Sequence, residues 1–95
     1  MNDRDFYQFH NSVKESTTDQ NRLKVVAAAT DYAMFSTDQI RQIMKLFSFD
    51  ESKLKCAKMM SDKAHDRQNL YRLAEEFTFS SNKDSFLEYI RGKNR

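Results

Sequence analysis

Sixteen Lys and Arg against fourteen Asp and Glu leave these 95 residues with a net charge of +2, too small for the basic footprint of a dedicated nucleic-acid binder. With no Pro, a single Gly and 32% charged residues, the composition speaks against tight-turned β-sandwiches and barrels and suits one helical domain with a modest core. The single cysteine excludes an internal disulfide, and no apolar run approaches the length of a membrane span.

The first predicted helix, near 3–15, carries Phe6, Phe9 and Val13 on one face, and a longer connection, "ESTTD", leads to a second near 19–33. A third, near 37–48, opens with Ser36 and Gln39 at capping-box spacing and presents Ile40, Ile43, Met44 and Phe47 at i, i+3, i+4, i+7. A fourth follows near 51–62. A fifth, near 67–78, has Asp66 as its expected N-cap and repeats the third with Leu70, Leu73, Ala74 and Phe77. The sixth spans 81–91.

The corners between these helices repeat as well. "FSFDESK" at 47–53 and "FTFSSNK" at 77–83 share one skeleton thirty residues apart. Three segments then align, "DQNRLKVVAAAT" from Asp19, "DESKLKCAKMMS" from Asp50 and "SSNKDSFLEYIR" from Ser80. Each opens on an N-cap type and continues with two apolar pairs, Val25-Val26 and Ala28-Ala29, Cys56-Ala57 and Met59-Met60, Phe86-Leu87 and Tyr89-Ile90. The expected fold is therefore all-α, six short helices forming three stacked αα-hairpins with a repeat of about 30 residues. The first hairpin is the degenerate copy.

Local rules give further expectations. Phe49 is placed to staple onto Leu54, whereas Asp84 in the second copy sends Phe79 elsewhere. Lys53 and Lys83 are expected to cover Phe with their stems and reach the last carbonyls of the preceding helix. Stacked hairpins would set Lys45 beside Glu75, Lys58 beside Glu88, and Arg41 over the ring of Tyr71.

"FSTDQIRQIMKLFSFDESKLKCAK" followed by "YRLAEEFTFSSNKDSFLEYI" resembles the signature of a small helical domain family of unknown function, frequent in bacterial proteins and present in eukaryotic ones. The resemblance is close over 35–90 and looser before it. The family's recurring positions fall here on Thr37, Gln39, Ile40, Leu46, Phe47, Phe49, Lys53, Phe77, Phe79 and Ile90. It implies the helical fold and brings no activity. Bacterial members often follow a secretion signal; the start "MNDRDFYQF" has no apolar h-region, and localisation stays open.

Reactive groups are sparse. His10 and His65 have no ligand partner at i+3 or i+4, and Cys56 occupies a core position. "DQNRL" and "DESKL" lack the ladder of an EF-hand loop, and no Gly-rich loop exists to cradle phosphate. Glu75-Glu76 and Asp50-Glu51, adjacent on helices, splay apart rather than converge. Phe6, Phe35, Met34, Met59 and Tyr71 are the apolar residues expected to be partly exposed. Arg91, Lys93 and Arg95 are expected in a frayed basic tail.

The expectation is a single domain, 1–95, either part of a larger polypeptide or a small adaptor, acting without catalysis, metal or cofactor as a protein-interaction or scaffolding module. Arg41, Lys45, Tyr71 and Arg72 form its expected contact surface. The alternative is a ligand- or anion-binding domain, for anionic lipid, nucleic acid or an acidic partner, through the basic face Lys53, Lys55 and Lys58. Partner and oligomeric state are left open.

Overall fold

The helices start where the chain supplies acceptors for their free N–H groups. Asn2 accepts from the Asp5 N–H at 2.8 Å and opens α1 (Asp3–Glu15); Thr18 accepts from the Asn21 N–H and opens α2 (Asp19–Thr30). At Ser36 the capping box forms in full. Its hydroxyl accepts from the Gln39 N–H and the Gln39 side chain accepts from the Ser36 N–H, both at 3.1 Å, opening α3 (Thr37–Met44). Then come α4 (Asp50–Ser61), a 3-10 helix (Arg67–Glu76) and α5 (Ser80–Lys93), in a computed structural model that describes residues 1–93. Where a frayed tail is expected, α5 runs on through Arg91, Gly92 and Lys93; Arg95 lies outside the described residues.

These elements pair into three hairpins, α1 with α2, α3 with α4, and the 3-10 helix with α5. They stack in chain order. α3 packs between α1 and the 3-10 helix in one layer, and α4 between α2 and α5 in the other. The expected all-α fold of stacked hairpins is the one found. Phe47 and Phe77 are both buried at their equivalent corners, and Ile40, Ile43, Leu70 and Leu73 are wholly buried. The apolar pairs after each corner behave unequally, for a positional reason. In the central α4, Cys56, Ala57 and Met60 are all buried, whereas α2 buries Val26 and leaves Ala28 exposed, and α5 buries Phe86 and Ile90 and leaves Leu87 exposed. Only the central helix has a neighbour on both sides.

Asp19 and Asp50 are not the N-caps that their positions suggested. The N-caps are Thr18 and Phe49; each Asp is the first helical residue, with its carboxylate turned to the corner of the next hairpin. Asp19 accepts from the N–H groups of Ser48 and Phe49, both at 2.9 Å, while Asp50 accepts from those of Thr78 and Phe79 at 2.8 and 3.1 Å. The same clamp thus occurs twice. It brings the N-termini of α2, α4 and α5 together, so the three helices run in one direction. Ser80, at the equivalent position of α5, has no following corner within these residues to hold. Asp66 acts similarly. It makes no side-chain cap on its own helix and instead accepts from the Thr37 N–H at 2.8 Å and from the Thr37 hydroxyl at 3.0 Å, joining the 3-10 helix to α3.

The clamps explain a second correction. With their backbone N–H groups held, Phe49 and Phe79 point outward, 67% and 56% exposed, and Phe49 does not staple onto Leu54. Staple spacing is instead realised by Phe35, before the Ser36 cap, and Ile40, both fully buried in the same core cluster. Phe35 and Phe6 are therefore core residues, while Met34 and Tyr71 are exposed as expected. The Phe35 N–H donates to the Lys63 carbonyl and the Phe35 carbonyl accepts from the His65 N–H, a parallel bridge joining two connections.

Three clamping carboxylates give the stability a pH dependence. Burial pushes the pKa of each upward. Hydrogen bonds outweigh it: from Ser48, Phe49 and Arg22 at Asp19, from Asn82, Thr78 and Phe79 at Asp50, and from Asn69 and Thr37 at Asp66. All three lie below the ordinary value of 3.8. A carboxyl lowered on folding stabilises the native state above its unfolded value, and that stability is lost as pH falls through the native value. The urea midpoint is expected to hold between about pH 7 and pH 5 and to fall below that. The triple variant Asp19→Asn, Asp50→Asn, Asp66→Asn should be less stable at neutral pH and show a shallower acid slope. Equal slopes in the two proteins would reject this account.

Candidate functional site

Arg41 and Lys45 on α3 and Tyr71 and Arg72 on the 3-10 helix do lie on packed neighbours, but the charges of Arg41 and Lys45 are committed to the 3-10 helix. Arg41 Nη2 is 3.6 Å from Glu75, and its Nε is 3.5 Å from Glu76; Lys45 Nζ is 3.6 Å from Glu76. The expected partner of Lys45 is thus off by one residue, and the cation over Tyr71 is Arg72, at 5.9 Å, rather than Arg41. The tighter winding accounts for the slip. A 3-10 helix has about 3.0 residues per turn against 3.6, so equivalent positions drift by about half a turn over nine residues. Residues three apart eclipse, which aligns Glu76 with buried Leu70 and Leu73 and brings it within reach of α3.

The expected basic face divides. Lys53 is half-buried and points towards the third hairpin, its ammonium donating to the Glu76 carbonyl at 3.5 Å, which is the end of the following helix rather than the preceding one. Lys55 and Lys58 lie on another side of α4, since successive helical residues turn by about 100°. There they border a groove of about 610 Å³ between α2 and α4, with Tyr89 of α5 at its edge. Its α2 wall is Gln20, Leu23, Lys24 and Ala27; its α4 wall is Lys55, Lys58, Met59 and the C-cap residue Asp62. Both walls have the spacing i, i+3, i+4, i+7, one stripe per helix. Leu23, Ala27 and Met59 supply a partly exposed apolar floor.

Tyr89 closes one side through a small polar network. Its hydroxyl donates to the Asp62 carboxylate at 2.8 and 2.9 Å, and Lys93 Nζ is 4.0 Å from Asp62. The ammonium groups of Lys58 and Lys93 each sit 5.4 Å from the centre of the Tyr89 ring, so Lys58 and Glu88 are not the pair that stacking suggested. Burial, then the hydrogen bond to Asp62, pushes the Tyr89 pKa up to about 12, so the phenol stays protonated at any physiological pH. Asp62 is engaged on the chain itself. Lys24 and Lys55 have no ion pair among the described residues.

Elsewhere chemistry is muted. Burial pushes the Cys56 thiol well above its ordinary range, with Met60 Sδ 3.7 Å from its sulfur. His10 leans on the Phe6 ring. Among the described residues, no three His, Cys, Asp or Glu side chains converge as metal ligands, and no helix is long and apolar enough to cross a membrane.

Residue choice from sequence missed Leu23, Lys24, Ala27 and Tyr89. The legible signal was that α2 and α4 each mix lysine with apolar residues along a single stripe. Compared with known proteins, residues 1–90 match a family model described as "Domain of unknown function (DUF4476)". No curated protein and no solved structure matches the chain.

Proposed function

The chain belongs to the DUF4476 family, and from the geometry of its groove we propose that this domain is a non-catalytic module that docks a protein partner between α2 and α4. The observation carrying this reading is a solvent-facing apolar floor, Leu23, Ala27 and Met59, set in helices whose backbone positions are clamped by Asp19 and Asp50. A rigid apolar trough is a docking feature. The outer face of Arg41, Lys45, Tyr71 and Arg72 is the weaker surface, because docking there would compete with ion pairs to Glu75 and Glu76. The non-catalytic part of the reading is supported by the thiol of Cys56, which is buried and held in its unreactive protonated form.

Site-specific photo-crosslinking in the cell tests it. With p-benzoylphenylalanine at Ala27, a discrete protein adduct is expected; with the same group at Tyr71, little or none. An adduct from Tyr71 and none from Ala27 would move docking to the outer face.

A further inference from the structure

We infer that the α2–α4 groove receives an acidic amphipathic helix of the partner, an assignment that rests on the interaction reading above. Shape and charge both point to it. The two walls belong to helices running in the same direction side by side, as the Asp19 clamp between their N-termini requires. Each wall offers a stripe at i, i+3, i+4, i+7, about 10 Å long. Two such stripes leave a trough into which a third helix seats its own ridge of side chains, the geometry of ordinary helix packing. The trough is shallow and open to solvent. An acyl chain is held better by an enclosed tunnel, and an extended strand would find no free sheet edge here.

Charge then selects among helices. Three lysines stand around the floor, Lys24 on one wall and Lys55 and Lys58 on the other, and the single wall carboxylate, Asp62, is engaged by Tyr89 and Lys93. Lys24 and Lys55 make no ion pair among the described residues, while Lys58 lies over Tyr89. An occupant with an apolar stripe over Leu23, Ala27 and Met59 and Glu or Asp on both flanks would meet complementary charge on each side. A basic amphipathic helix would meet like charge.

The test titrates the domain with a synthetic helix of about five turns, leucines at i, i+3, i+4, i+7 and glutamates on both flanks, against an otherwise identical peptide with lysine for glutamate. The acidic peptide is expected to bind about tenfold more tightly, to lose affinity as salt rises, and to shift the NMR signals of Leu23, Ala27 and Met59. The Lys24→Glu, Lys55→Glu variant leaves the Lys58–Tyr89 contact intact, and with an unchanged melting temperature it should reverse the preference between peptides. Equal binding of both peptides, shifts centred on Tyr71, or binding of phosphatidylserine vesicles without binding of the acidic peptide would overturn the inference. An adduct at Ala27 whose crosslinked segment is neither acidic nor helical would overturn it too and leave the docking function standing. Absence of any Ala27 adduct would remove both.

Discussion

Replacing Asp50 with alanine is expected to lower the unfolding free energy by about 3 kcal/mol, a large share of the roughly 5–15 kcal/mol typical of a domain. The carboxylate accepts from three donors: the N–H groups of Thr78 and Phe79 and the side-chain amide of Asn82, the last at 2.7 Å. Hydrogen bonds to a charged group are worth about 1.5–3 kcal/mol each. Thr78 and Phe79 lie at an exposed corner, so water recovers part of the loss, and the estimate sits below the simple sum. Asp50→Asn keeps one acceptor oxygen and should lose about half as much. Ser80→Ala, at the equivalent position with no following corner among the described residues, should fall within about 0.5 kcal/mol of the unsubstituted domain. Urea midpoints with unchanged m-values measure all three. Asp50→Ala within about 1 kcal/mol of the parent would show that the corner is held by something else.

That contrast marks what a sequence conveys. The helix starts and the Ser36 capping box were legible because they follow from local spacing and local donors; the ends were not, since α2 stops at Thr30 and α3 at Met44, short of the expected 33 and 48. So was the stacking order, since Phe47 and Phe77 sit at the same offset before the same corner. The role of Asp19 and Asp50 was not legible. An aspartate at a helix start is within reach of its own N–H groups and of a neighbour's, and only the packed arrangement decides between them. The 3-10 winding of residues 67–76 was hidden for a related reason. Leu70 and Leu73, three apart, share a face in either kind of helix, so their spacing cannot separate the two.

The groove was half legible. Lys55 and Lys58 border it as a basic face, but Lys53, close to them in sequence, points to the third hairpin. Lys24 and Leu23 line the groove only because α2 lies beside α4, a tertiary fact. The expected contact surface, Arg41 and Lys45, rests on exposed charge. Exposed charge alone does not distinguish a free cation from one already paired with Glu75 or Glu76.

Phe35→Ala should destabilise the domain by about 3–5 kcal/mol, whereas Phe49→Ala should change stability by no more than about 0.5 kcal/mol. The two phenylalanines invert the expectation from local rules, which put Phe49 against Leu54 and left Phe35 partly exposed. Phe35 is wholly buried, with its ring centre 5.7 Å from that of Phe9, and it lies beside connections from two hairpins. Removing the ring leaves a cavity in a core where Phe9, Ile40 and Ala64 are held by separate elements and cannot easily close around it. Phe35→Leu retains most of the apolar volume and should lose less than half as much. The cause lies in the backbone at each position. The bridge to Lys63 and His65 turns the Phe35 side chain inward, while the Asp19 clamp on the Phe49 N–H turns that ring outward. Thermal unfolding of the three variants measures the order. Phe49→Ala as damaging as Phe35→Ala would mean that the corner ring is buried in solution, and with it the clamped, outward-facing corner would fall.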